Sequence, residues 1–112
     1  MLPCLRERKR YLAFEIISDK PIEDSMVVNT AIFGKALEFL GELGCAEAGM
    51  IFLDEKYNQE KQRGLIRVNN KSLDKLRATL ALVEQIDNQK VIVRSVGASG
   101  ILKKAEGKYL AA

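Results

Sequence analysis

Histidine is missing from all 112 residues of this chain. That removes the commonest general base and the commonest metal ligand. It also excludes every Ser-His or Cys-His nucleophile arrangement. Cysteine occurs only as Cys4 and Cys45, a pair that fits neither a zinc spacing nor a disulfide framework. A reducing, cytoplasmic setting is the expectation. No apolar run approaches the roughly 18 residues that span a bilayer. The segment Met1–Arg10 carries charge but no apolar stretch with a small-residue cleavage site, so neither a membrane anchor nor a signal peptide is expected. No carboxylate pair stands out as acid and base, and no metal-ligand spacing is present.

What remains is an ordinary globular composition, 47% hydrophobic and 29% charged, with length for one modest core. The informative feature is where the charge sits. Residues 1–10 carry +3, residues 11–62 carry −6, and residues 63–112 carry +6, for a net +3. Basic side chains at both ends of an acidic middle point to a polyanionic partner. Within the first ten residues, Arg6, Arg8, Lys9 and Arg10 place four cations in five positions. Binding to phosphates through such an arm would weaken with salt as counterions are released.

Periodicity predicts four strands and two helices. Arg10 to Ser18 alternates with a period of two, with Leu12, Phe14 and Ile16 on one face. Pro21 stops that strand, and Glu23, Asp24 and Ser25 supply helix-start residues. The first helix is expected over 24–43, with Gly44 as its cap. Met26, Phe33, Leu37 and Leu40 form one apolar stripe; Ile32, Ala36, Phe39 and Leu43 form a second beside it. A helix packed on one sheet needs a single apolar face, so Ile32, Phe39 and Leu43 are candidates for a partner interface.

A second strand is expected at 47–54 and a third at 64–68. A second helix carries Leu73, Leu76, Leu80, Val83 and Ile86 at helical spacing. Asp87-Asn88 then turns the chain into a fourth strand, Lys90 to Val96. The order β-α-β-β-α-β is the ferredoxin-like split pattern, shared with the RNA recognition motif. Right-handed crossovers would put both helices on one face of a four-stranded antiparallel sheet and leave the other open. The expected organisation is a basic arm at 1–9, a domain at 10–96 and a Gly/Lys-containing tail at 97–112.

With Ile66 and Val68 pointing to the helices, Leu65 and Arg67 face outward, and Arg94 joins them from the last strand. Guanidinium groups donate in a planar fork that suits phosphate, although either arginine could instead pair with Glu15. The third strand keeps an Arg63-Gly64 opening but lacks aromatics, and only Tyr11 is suitably placed on the first. Phosphate and shape contacts are therefore expected in place of base stacking. Gly97-Ala98-Ser99-Gly100, followed by Lys103 and Lys104, reads either as a turn or as a backbone-and-ammonium phosphate site. Cys45 is expected in the core or at its edge.

Three blocks resemble the archaeal ribonuclease P protein component 2 family, related to eukaryotic Pop-type subunits. They are Leu5-Arg6-Glu7-Arg8-Lys9-Arg10-Tyr11-Leu12-Ala13-Phe14-Glu15, Arg63 to Asn69, and Val91 to Gly100 with the following Lys103-Lys104. Ser95, Val96 and Ala98 depart modestly from the family pattern. The resemblance implies a fold like that of RNA recognition motifs and assembly with a barrel-shaped partner subunit, often as two copies of each in a heterotetramer. It implies support of a catalytic RNA that uses magnesium to remove the 5′ leader of precursor transfer RNA. The chain itself would hold no cofactor and no catalytic group. On this reading Arg6, Arg8, Lys9, Arg10, Arg63, Arg67, Arg94, Ser99, Lys103 and Lys104 contact RNA. Two other classes fit the same element order: a regulatory module binding a metabolite or partner chain, and a small enzyme built on Glu15.

Overall fold

A computed structural model describes residues 8–110. Lys9–Ser18 forms β1, Ser25–Ala48 α1, Ile51–Phe52 β2, Arg63–Asn69 β3, Leu73–Leu82 α2, Gln85–Ile86 β4, Gln89–Ser99 β5 and Leu102–Ala105 α3. The sheet has five strands, all antiparallel, in the order β2-β3-β1-β5-β4. The mixed α+β class expected from the sequence holds. The four-stranded sheet with helices on one face does not, for two reasons.

The first is β4. Val83 and Ile86 fall at helical spacing after Leu80, yet α2 stops at Leu82, and Val83 has extended backbone. Asp87 and Asn88 both have positive φ, 54° and 62°, the pattern of a two-residue hairpin turn whose twist matches its strands. That turn needs a strand on either side, so Gln85-Ile86 leaves the helix to pair with Gln89-Lys90. Val83 and Ile86 still reach the core, but not from a helix.

The second is the C-terminal segment. β5 runs on to Ser99, so Gly97-Ala98-Ser99 is strand and not a loop. A bulge at Val96 shifts the register between Ala13 and Phe14 and re-aims the strand. α3 and the wide helical turn Glu106–Leu110 then fold back over the sheet face expected to be open. Ala13 and Leu65 are buried there against Ala105 and Leu110, with Tyr11, Val96, Leu102 and Tyr109 at the margin. Gly97 permits this closure, because a Cβ at that position would collide with the Tyr109 ring. Lys9 belongs to β1 and residues 97–110 to the domain, so the expected boundaries of arm and tail shift.

The main core lies on the other face. Leu12, Phe14, Ile16, Ile66, Val68, Val91 and Val93 of the sheet meet Val28, Ile32, Leu76 and Leu80 of the helices. α1 starts at Asp24, whose carboxylate accepts from the Met26 N–H at 2.9 Å. It ends at Gly49, in left-handed backbone, rather than at Gly44. Gly41 interrupts it with φ 75° and ψ 174°. Val28, Ile32 and Ala36 are buried before the break, and Cys45 and Ala48 after it. Met26, Phe33, Leu37 and Phe39 are already exposed ahead of Gly41, so the apolar excess on α1 is an uncovered face on both sides of the break. Ile32, proposed for a partner interface, is fully buried and is a core residue. Phe39 and Leu43 are 53% and 74% exposed.

Candidate nucleic-acid interface

Antiparallel register decides which cations meet. β1 begins where β3 and β5 end, since Lys9 lies opposite Asn69 and Tyr11 lies between Arg67 and Ser99. Arg8, Lys9, Arg10 and Arg67 therefore lie at one end of the sheet, with Arg10 on the helix-covered face alongside Leu12 and Val68 and Arg67 on the opposite face alongside Tyr11 and Leu65. Lys71 joins them just past β3, held there because the Asn70 N–H donates to the Arg8 carbonyl at 2.7 Å. Lys71 was not singled out from the sequence, where it reads only as part of a helix cap; the pairing of β1 with β3 is what places it.

The cluster is anchored without being neutralised. Lys9 donates to the Asn69 side-chain oxygen, and Asn69 in turn donates to the Glu47 carbonyl at 2.6 Å. None of the five cations has a carboxylate partner among the described residues. The Nε atoms of Arg10 and Arg67 are shielded from solvent and have no acceptor among the described residues. A buried donor without a partner costs about 1–3 kcal/mol, and an incoming oxygen ligand would reach these shielded atoms only if the side chains moved. The opposite end of the sheet, roughly 30 Å away along β1, mixes Asp19, Glu84 and Asp87 with Lys20 and Lys90, so the excess of positive charge lies at the β1 start.

Of the other expected contacts, Ser99 lies opposite Tyr11 at this same end, while Arg63 and Arg94 sit further along the strands. Arg63 and Arg94 flank Glu15 across three neighbouring strands. Arg63 Nε donates to Glu15 at 2.9 Å and its Nη1 to the Tyr109 carbonyl at 2.9 Å. Arg94 bonds the other Glu15 oxygen at 2.7 Å. The pairing with Glu15 weighed for the sheet arginines is thus the arrangement found for Arg94, and for Arg63 as well, but not for Arg67. Burial pushes the Glu15 carboxyl up, but hydrogen bonds and charge from Arg63 and Arg94 outweigh it and hold the pKa below the ordinary value. A general acid or base works best with a pKa near the operating pH. Glu15 is shifted the other way, which removes the basis for an enzyme built on it.

Ser99 closes a local turn, donating to the Ile101 carbonyl at 3.2 Å and accepting from the Ile101 N–H at 3.1 Å. Lys103 lines a cleft with Glu55, Lys56 and Glu106, away from the basic end; Lys104 is exposed. Arg6 and Cys4 lie outside the described residues. Cys45 is buried, and burial pushes its thiol up, as expected for a core cysteine. Among the described residues no group of His, Cys, Asp or Glu could hold a metal ion, and no helix is long and apolar enough to cross a membrane.

The Rpp14/Pop5 family model matches residues 10–110. The chain belongs to the Rpp14/Pop5 family. Ribonuclease P protein component 2 of Thermococcus gammatolerans is 38% identical over 109 residues, covering 97% of this chain and 88% of the relative. The protein of the same name from Archaeoglobus fulgidus is 38% identical over 108 residues, covering 96% and 94%. Among solved structures, a chain in yeast ribonuclease MRP superposes with a TM-score of 0.63 at 15% identity, covering 95% of this chain and 88% of that one. That likeness speaks to the fold. The family resemblance drawn from the three sequence blocks and the reading as a ribonuclease P protein subunit stand on these matches, and the Rpp14/Pop5 domain holds its basic end outside both hydrophobic cores.

Proposed function

We propose that this ribonuclease P subunit binds the catalytic RNA through the basic end of its sheet and stabilises the RNA fold for 5′-leader removal from precursor transfer RNA. The observation that carries this reading is the placement of Arg8, Lys9, Arg10, Arg67 and Lys71 at one sheet end, none of them with a carboxylate partner among the described residues. Tyr11 and the sheet centre lie under α3 and the following turn, which favours phosphate contacts over base stacking. Arg63 is committed to Glu15 and the Tyr109 carbonyl, so it supports the sheet and makes at most peripheral RNA contact. The chain supplies no catalytic group; the magnesium belongs to the RNA, and the protein lowers its requirement by neutralising crowded phosphates. The exposed α1 surface around Phe33, Phe39 and Leu43 takes the barrel-shaped partner subunit or a second copy, within a cytoplasmic particle.

The test is reconstitution with an archaeal ribonuclease P RNA and the barrel subunit at limiting magnesium. Arg10→Ala with Arg67→Ala should raise the magnesium needed for half-maximal cleavage. The dependence of log affinity on log salt should lose roughly 0.7–0.9 for each phosphate contact removed. Unchanged magnesium and salt dependence in a folded double variant would refute the assignment.

A further inference from the structure

β5 has an edge that its own chain does not cover. β4 accompanies it only through Ile86 opposite Gln89 and Gln85 opposite Lys90, after which the Glu84 carbonyl accepts from the Val91 N–H at 2.9 Å. Before Glu84 the chain runs back through Val83 into α2. Beyond Val91, no strand lies beside the outer edge of β5 among the described residues.

Two hydrogen bonds fix which backbone groups face that edge. The Val91 N–H points outward to Glu84, and alternation along the strand sends Val93 the same way. Independently, Ile16, the residue opposite Val93 on β1, gives its N–H to the Gln62 carbonyl at 2.9 Å, on the β3 side. Ile16 and Val93 are thus a non-hydrogen-bonded pair, and the Val93 N–H and C=O both face away from β1. The outward side chains here are Ile92 and Arg94. Ile92 is 62% exposed, beside Ile17 at 48%, on the part of the face that α3 leaves bare. A cleft of about 630 Å³ lies there, lined by Ile17, Ile92, Lys90 and Gln85. Arg94 shares the single Glu15 carboxylate with Arg63, so the trio keeps one positive charge.

We propose that this edge accepts an extended segment of a partner polypeptide by strand addition, antiparallel to β5, continuing the line of β4 past Glu84. Backbone pairing at Val93 supplies the hydrogen bonds, and the side chains set the sequence. Antiparallel pairing places the residue opposite Arg94 before the residue opposite Ile92. The recognised pattern is therefore acidic-x-apolar, the acid completing the Arg94 charge and the apolar side chain lying over Ile92 and Ile17. This proposal is independent of the RNA contacts above. The competing explanation is that Arg94 and the Val96 bulge merely guard an edge against unwanted pairing.

The experiment is an amide-resolved titration of the full chain with the peptide acetyl-Thr-Thr-Glu-Thr-Ile-amide, which ends opposite Ile92 because Glu84 already lies opposite Val91. Saturable shifts should centre on Val93 and its neighbours, and the Val93 N–H should become protected from hydrogen exchange. Methylating the nitrogen of the threonine between glutamate and isoleucine, which must pair with Val93, should weaken binding at least tenfold. Replacing the glutamate by lysine, or using Arg94→Ala, should weaken it roughly two- to fivefold, the range of an exposed ion pair. Equal binding by the N-methylated peptide, shifts centred elsewhere, or no saturable binding would overturn the proposal. So would a Val93 amide already protected in a concentration-dependent way without peptide, because a second copy would then be the occupant.

Discussion

Replacing Glu15 by glutamine tests how three strands are tied together, and its cost can be worked from the geometry. Glu15 is 16% exposed, Arg63 21% and Arg94 59%. The Arg63 arm is a shielded, charge-assisted hydrogen bond, worth about 1.5–2 kcal/mol. The Arg94 arm is mostly solvated, and screening reduces it to about 0.5 kcal/mol. Glutamine keeps one acceptor oxygen but leaves two guanidinium groups facing a neutral amide, so the recovery is small. Glu15→Gln should therefore cost about 2 kcal/mol at pH 7. In urea, with a slope of about 1–3 kcal/mol/M for a domain of this size, the midpoint should fall by about 1 M. Arg63→Ala should cost nearly as much; Arg94→Ala should cost about a quarter of it. The pH dependence has a defined sign. The folded pKa of Glu15 lies below the ordinary value of 4.5. Its contribution is complete above that value and is lost as pH falls through the folded pKa. The Gln variant should lack this acid-side loss. If Arg94→Ala proves as costly as Arg63→Ala, or if Glu15→Gln leaves the midpoint unmoved, the claim that burial grades the two arms is wrong.

Tyr57 is half-buried, and burial pushes its phenol up to about 12, while its hydroxyl donates to the Ile22 carbonyl at 2.7 Å. An ultraviolet titration of the three tyrosines should show one group ionising near pH 12, and stability falling as pH rises from the unfolded value of 10 through that pKa. A Tyr57 that titrates with the others would contradict its burial. Gly97→Ala should destabilise by about 1–3 kcal/mol through overpacking against Tyr109, and near-ultraviolet circular dichroism should show the tyrosine environment altered; an unchanged spectrum and midpoint would mean that the C-terminal segment does not sit as described. Ile32→Ala should cost about 2–5 kcal/mol, whereas Leu43→Ser should change the stability of the isolated chain by less than about 0.5 kcal/mol and instead weaken assembly with the partner subunit. A large stability loss for Leu43→Ser would place it in the core.

The elements with a single dominant signal were legible in the sequence. The alternation of Leu12, Phe14 and Ile16 placed β1 and its buried face, and Asp24 marked the start of α1. The failures share a physical form: a local pattern was overridden by a contact distant in sequence. Val83 and Ile86 extend the leucine stripe of α2, but the turn at Asp87-Asn88 requires a strand before it, and turn chemistry prevails over periodicity. Leu43 extends the line of Ile32 and Ala36 only if the helix is continuous, and Gly41 breaks it; Phe39, ahead of the break, is exposed because the buried line there runs through Val28, Ile32 and Ala36. Leu102, Ala105, Tyr109 and Leu110 are too few and too interrupted by lysine and glycine to announce a helix. Their burial depends on Gly97 and Ala13 leaving room on the sheet, which no window of sequence contains. The site divided on the same line. Arg10 and Arg67 carried the residue chemistry in sequence, but Lys71 became visible only once β1 was paired with β3.

The split between the two arginine groups bears on the proposed RNA contact. A single net charge of +3 spread evenly would steer a polyanion weakly. Here antiparallel register places five cations where β1 starts and β3 ends, while acids and lysines are mixed at the far end. The two arginines nearest the middle are coupled to Glu15 and hold strands instead of ligand. On the proposed reading, an RNA approaching this surface meets cations concentrated at one end, and orientation follows from that layout because poses that bring phosphates to the basic end are favoured. Salt should weaken the attraction and blur the orientation together, because both arise from the same long-range field.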